Sequence, residues 1–158
     1  MTDHTPQQQL LLFLCTGNYY RSRFAEFLFN ALVEKTSLSW IAFSRGIATE
    51  RGVNNVGPLS QHARHALQLR GIEPPYPLAF PRQLQRQDLY VADHIIALKE
   101  AEHRPLLDAR FPNWPSTIEF WHIDDLDQAP ADIALAAIEG EIHKLLSRLA
   151  FGLHHKDD

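Results

Sequence analysis

Residues 10–14 read Leu-Leu-Leu-Phe-Leu, an unbroken apolar run of the length a strand needs when both of its faces are covered. The chain then passes through Cys15-Thr16-Gly17-Asn18-Tyr19-Tyr20-Arg21-Ser22. Beyond it, Phe24, Phe27, Leu28, Ala31 and Leu32 recur at helical spacing, which predicts a helix to about Glu34. Leu38 to Ser44 is β-favouring through Trp40, Ile41 and Phe43, and predicts the second strand. Arg45 to Gly57 is a long polar loop, and Pro58 suits the first turn of a helix that carries Leu59, Ala63, Ala66 and Leu67 and ends at Gly71. Ile72 to Pro81 holds four prolines and predicts irregular chain. A short helix at Arg86 to Ala92, a strand at His94 to Leu98 and a helix at Glu100 to Asp108 follow. A fourth strand is predicted at Thr117 to Ile123, then the acidic loop Asp124-Asp125-Leu126-Asp127. Pro130 opens a terminal helix with Leu135, Ile138, Ile142, Leu145, Leu146 and Leu149 on its apolar stripe.

Strands alternating with helices imply an α/β fold, an open four-stranded parallel sheet with helices on both faces. The strand–helix–strand start implies a parallel pair joined by a crossover. No repeat or linker divides the chain. The organisation expected is one domain over residues 10–150, a flexible N-terminus over 1–9 and a flexible tail over 151–158.

Composition changes this picture little. Apolar residues at 45% and charged residues at 22% are ordinary for a globular domain, and 158 residues suffice for one substantial core. A formal charge of −4 argues against nucleic acid as a partner. No apolar stretch is long enough to span a bilayer, so no membrane partner is expected. The first nine residues lack the plan of a signal peptide. The single cysteine excludes an intramolecular disulfide and fits a reducing compartment, so a cytoplasmic location is expected. None of the nine histidines has metal-ligand spacing. His62, His65 and His103 read as helix-surface residues, and neither metal nor cofactor is expected.

The loop at residues 15–22 carries the chemistry. Strand, tight loop and helix N-terminus aim main-chain N–H groups at one point, which favours an anion. Gly17 allows close approach of a ligand, and Asn18 tolerates a left-handed backbone. Taken alone, a cysteine at a strand end is most often a small buried apolar residue. Here the helix N-terminus and Arg21 both favour its thiolate, the attacking form. The loop therefore reads as holding a phosphate-like group against a sulfur nucleophile.

Cys15-Thr16-Gly17-Asn18-Tyr19-Tyr20-Arg21-Ser22 resembles the C-x-G-N-x-C-R-S signature of the low-molecular-weight protein tyrosine phosphatases, shared by arsenate reductases and arginine phosphatases of the same fold. The resemblance extends to Ser44-Arg45-Gly46, Leu69-Arg70-Gly71-Ile72, Arg82-Gln83-Leu84, Ala92-Asp93-His94-Ile95-Ile96 and Trp121-His122-Ile123-Asp124-Asp125. It implies a flavodoxin-like sheet of the phosphatase I type and a phosphomonoester hydrolase. In that reading Cys15 attacks phosphorus and becomes a cysteinyl-phosphate. Arg21 and the amides of Thr16, Gly17, Asn18, Tyr19, Tyr20 and Ser22 bind the phosphate oxygens. Ser22 would ease the sulfur's departure, a role compatible with a plain first-turn hydroxyl.

The leaving oxygen needs a proton, and Asp124, Asp125 and Asp127 are the candidates. Their mutual repulsion would keep a proton on one of them. The resemblance aligns Asp125 with the family's acid, and a shift of one residue would give the role to Asp124. The chain also departs from the family. Tyr20 replaces the second cysteine, Arg23 the usual proline, and Leu126 the proline after the acid. Glu50, Asp127 and Gln128 stand where rim aromatics would be, leaving Tyr19 as one aromatic wall. Ala79 replaces a histidine that supports the loop asparagine in eukaryotic relatives, so the loop would rest on Asn18, Ser22 and Ser44. The substrate implied is a phosphorylated protein, by default phosphotyrosine, or a small phosphomonoester. A non-catalytic phosphate-binding module and an arsenate reductase are the alternatives, the latter disfavoured by the lack of a second cysteine.

Overall fold

The first strand, β1 (Gln9–Cys15), lies inside a four-stranded parallel sheet with β2 (Trp40–Gly46), β3 (His94–Ala97) and β4 (Glu119–Phe120) in the order β2-β1-β3-β4. The computed structural model describes residues 7–156, with side chains as far as residue 152. Most of the expected N-terminal segment, and residues 157 and 158 of the expected tail, lie outside the described residues. Alternation along β1 divides the core in two. Leu11 and Phe13 face one helical layer and Leu12 and Leu14 the other, all four fully buried. Each such side chain stabilises the fold by about 1.5–3 kcal/mol relative to exposure.

Helices α1 (Arg21–Val33), α2 (Gln61–Leu69) and α5 (Ala131–Lys156) cover the first face, where Phe24, Phe29, Leu67, Leu135 and Ile138 pack with Phe13 and Trp121. Helices α3 (Arg86–Val91) and α4 (Glu100–Arg110) cover the second, with Leu89, Leu106 and Leu107 on Leu12, Leu14 and Ile95.

Several boundaries differ from expectation. Strand β2 runs two residues further, because its pairing with β1 continues to Cys15 opposite Gly46. Strand β4 is only two residues long, although Trp121 and Ile123 still donate main-chain bonds to Ala97 and Leu98. Helix α2 starts at Gln61 and not at Pro58. The Ser60 hydroxyl caps it, accepting from the N–H groups of His62 and Ala63. Its end is fixed by Gly71 at φ 71°, with Gly71 and Ile72 N–H bonded to the Gln68 and Leu67 carbonyls. Helix α5 continues past Leu149 to Lys156.

The order β2-β1-β3-β4 puts the topological switch between β1 and β3, where open α/β sheets bind ligands beyond the strand ends. The loops after β1, β3 and β4 converge there. The outer edge of β2 is closed by other means. Asn30 donates to and accepts from the Ala42 main chain, at 3.0 and 2.8 Å, and Arg45 donates to the Ser44 carbonyl. Gly46 pairs with Arg82 and Leu84. An edge so occupied is a poor template for a further strand.

Candidate active site

The loop between β1 and α1 is held by its carbonyls. Cys15, Thr16, Tyr19 and Tyr20 accept from the N–H groups of Ile47, Ala48, Ser60 and Phe24 at 2.9–3.1 Å. With the carbonyls turned into the protein, the N–H groups of Gly17 to Tyr20 have no acceptor among the described residues. Buried N–H groups are nearly always paired, so an unpaired run around one point marks an anion cradle. Asn18 has φ 54°, the left-handed turn that bends the ring, and Gly46 makes room behind it. A Cβ on Gly46 would lie 2.8 Å from the Thr16 carbonyl oxygen and 3.0 Å from the Asn18 nitrogen.

Behind the ring runs a buried chain of polar groups. Asn18 Nδ2 donates to both Ser22 Oγ and Ser44 Oγ at 2.9 Å, and its Oδ1 accepts from the Arg82 N–H. Ser44 donates to Glu26 at 2.5 Å. Burial pushes the Glu26 carboxyl above its usual range, against the pull of Ser44 and nearby arginines. Because Ser22 Oγ accepts from Asn18, its own proton is available to Cys15 Sγ, 2.9 Å away. Asn18, Ser22 and Ser44 thus support the loop without help from Ala79, whose carbonyl instead accepts from buried Arg23.

Arg21 is 2% exposed and almost fully committed on one side. Nη1 and Nη2 make a bidentate pair with Glu102 at 3.0 and 2.8 Å, and Nη1 also donates to the Ile123 carbonyl at 2.9 Å. Nε and the second Nη2 hydrogen remain for another acceptor, with Asp125 Oδ2 at 3.5 Å from Nη2. Burial alone would lower the arginine's pKa, but Glu102 and the surrounding negative groups raise it. Burial pushes the Glu102 carboxyl up, yet hydrogen bonds from Arg21 and from Thr16 Oγ1 at 2.5 Å bring it down to about 2.

Glu102 carries no sign of this role in the sequence, and His103 departs from the helix-surface position expected for it. It is fully buried rather than on a helix surface. Its Nδ1 accepts from the Lys99 N–H, so Nε2 carries the proton that meets Thr16 Oγ1 at 3.2 Å. Burial and the Arg21 charge lower its pKa to about 3, which keeps it neutral. The exposed histidines His62 and His65 do sit on the surface of α2.

A cavity of about 270 Å³ opens over the ring, lined by Cys15, Gly17, Tyr19, Tyr20, Arg21, Asn55 and residues 125–127. Of the clustered aspartates, Asp124 is drawn off by a cation. Asp124 turns to Lys99 at 2.7 Å, Asp125 faces Arg21, and only Asp125 and Asp127 line the cavity. Two of the three predicted rim residues lie elsewhere: Glu50 pairs with Arg110 and Gln128 with Lys99. Tyr19 stands as a fixed wall, its hydroxyl donating to the Val56 carbonyl at 2.6 Å. The Tyr20 hydroxyl is buried with no hydrogen-bond partner among the described residues. Burial and the Asp125 charge push it up to about 12.

A parallel sheet whose first strand delivers this cradle, with an arginine beneath it, defines an α/β phosphatase. The chain belongs to the low molecular weight phosphotyrosine protein phosphatase family, whose model it matches over residues 10–151. YfkJ from Bacillus subtilis is similar at 26% identity and TM-score 0.78, covering 93% of this chain and 98% of that one. A low molecular weight protein tyrosine phosphatase from T. tengcongensis shares 26% identity at TM-score 0.73, over 89% and 99% of the two chains. The YwlE arginine phosphatase from Geobacillus stearothermophilus shares 25% identity at TM-score 0.68, over 94% of each. No curated protein gives a significant match.

Proposed function

We propose that this phosphatase hydrolyses phosphomonoesters through a cysteinyl-phosphate on Cys15, with phosphotyrosine in protein as the substrate. The observation that carries the reading is the set of unpaired N–H groups from Gly17 to Tyr20, placed around Cys15 with the free edge of Arg21. Cys15 Sγ attacks phosphorus in line with the leaving oxygen, while the amides and Arg21 hold the three equatorial oxygens. Asp125 donates a proton to that oxygen, and the phenol departs. Water then hydrolyses the cysteinyl-phosphate, with Ser22 stabilising the sulfur as it leaves. Tyr19 and Leu126 flank the mouth and offer apolar surface to an aromatic ring.

A second reading has its own support. Asp125 and Asp127 set two carboxylates at the mouth, which would pair with the guanidinium of phosphoarginine, and one neighbour is an arginine phosphatase. Hydrolysis of p-nitrophenyl phosphate by wild type and Cys15→Ser tests the mechanism. The variant should lose turnover while retaining a vanadate-induced rise in Tm, and full activity in it would overturn the scheme. Rates on phosphotyrosine and phosphoarginine then choose between substrates.

A further inference from the structure

Behind the phosphate loop lies a second and larger cavity, of about 550 Å³, between β2, α1 and the proline-rich segment 75–82. That volume is typical of sites for small organic ligands. Phe27, Phe43, Leu78 and Phe80 give its walls apolar surface, and from the phosphate loop Asn18 lines it whereas Cys15, Gly17, Tyr19 and Arg21 line the catalytic mouth. Three arginines enter it, against the two carboxyls of Glu26 and Asp88. Arg45 is paired with Asp88 at 3.3 Å and stacks on Phe43, with 5.1 Å to the ring centroid. Arg23 stacks on Phe27 at 5.2 Å and donates to the Pro58 and Ala79 carbonyls. The Arg82 guanidinium has no hydrogen bond or ion pair among the described residues. With three arginines against the carboxyls of Glu26 and Asp88, the cavity's charge balance is positive.

We propose that this cavity binds a small planar anion, with its apolar body against Phe43 and Phe80 and its anionic group on Arg82. A peptide strand is a poor occupant, since the outward main-chain groups of Ala42 and Gly46 and the Ser44 carbonyl are already engaged by Asn30, the Arg82–Leu84 segment and Arg45. Hydrogen bonds connect this cavity's wall to the catalytic loop. The same Arg82 whose side chain meets the ligand holds Asn18 Oδ1 through its main-chain N–H, at 2.9 Å, and Asn18 in turn bonds Ser22 beside Cys15.

The test is a titration of the protein with 2-naphthoate, followed by amide NMR. Saturable shifts should centre on Phe43, Arg45, Leu78 and Phe80. Arg82→Ala should weaken binding at least about tenfold, the loss of one charge-assisted hydrogen bond. Phe80→Glu, at a side chain 66% exposed, should weaken it as well by placing a carboxylate beside the anion. Shifts confined to Tyr19, Asn55 and Leu126, binding indifferent to both substitutions, or no saturable binding at millimolar naphthoate would each overturn the proposal.

Discussion

At the scale of single residues, Glu102 explains how a buried arginine would serve the proposed phosphate site. A guanidinium free to rotate would lose orientation whenever the site is unliganded. Glu102 and the Ile123 carbonyl take three of its donors and leave the edge that faces Asp125 for the phosphate of the proposed reaction. Glu102→Gln keeps one acceptor but sets an amide N–H against the guanidinium. It should lower kcat/KM for p-nitrophenyl phosphate by about 10²-fold, the scale of a misplaced catalytic group. Glu102→Asp, which keeps the charge, should recover part of that loss. Wild-type turnover in Glu102→Gln would show that Arg21 needs no such partner.

The loops act as elements, and two predictions belong to them. The phosphate loop leans on Gly46 of β2, where a Cβ meets the Thr16 carbonyl and the Asn18 nitrogen. Both contacts are main-chain, so Gly46→Ala should shift the ring and cost about 1–3 kcal/mol of stability, the usual scale of overpacking. A urea titration would measure it, together with weakened vanadate binding; an unchanged midpoint would mean that β2 yields. In the acid loop, Lys99 draws Asp124 away while Asp125 lines the cavity. A phenoxide is a worse leaving group than p-nitrophenoxide and needs its proton more. Asp125→Asn should therefore slow single-turnover hydrolysis of phenyl phosphate by about 10²–10⁴-fold, with a smaller loss on p-nitrophenyl phosphate. Asp124→Asn should show a mild defect that is nearly the same for both. The reverse order would move the acid to Asp124.

Across the whole molecule, buried polar groups set the response to acid. His103 ordinarily titrates near 6.5, but burial and Arg21 bring it to about 3. As pH falls below about 6.5 the unfolded chain takes up this proton and the folded chain does not. Stability therefore drops through that window towards pH 3, by up to about 1.4 kcal/mol per pH unit from this group. Glu102 and Glu119 add to the loss lower down. Burial raises each, but their hydrogen bonds prevail and hold both at about 2, against an ordinary 4.5. For Glu119 the donors are His94, Arg148 and Trp121, which tie β3, β4 and α5 together. His103→Gln can still donate to Thr16 but does not titrate. Its urea midpoint should change less than that of wild type between about pH 6.5 and pH 4.5, and an equal slope would remove His103 from the account.

The sequence by itself determined what is local. The buried strand at residues 10–14, the loop of residues 15–22 and the amphipathic helix after it are each specified by neighbours in the chain. So is the left-handed turn at Asn18, which needs only a residue that tolerates it. The family resemblance added the alignment of Asp125, which the pattern of charges could not separate from Asp124 and Asp127. Tertiary structure decided the rest. Glu102 and His103 reach the loop across 81 and 87 residues, and a glutamate–histidine pair near the start of a helix looks the same whether solvated or buried. That Asp124 does not line the cavity while Asp125 and Asp127 do goes with its pairing to Lys99, a contact made only when the ends of β3 and β4 lie side by side. Long-range polar partners leave no periodicity in a sequence, because their spacing is set by the fold and not by the repeat of a helix or strand.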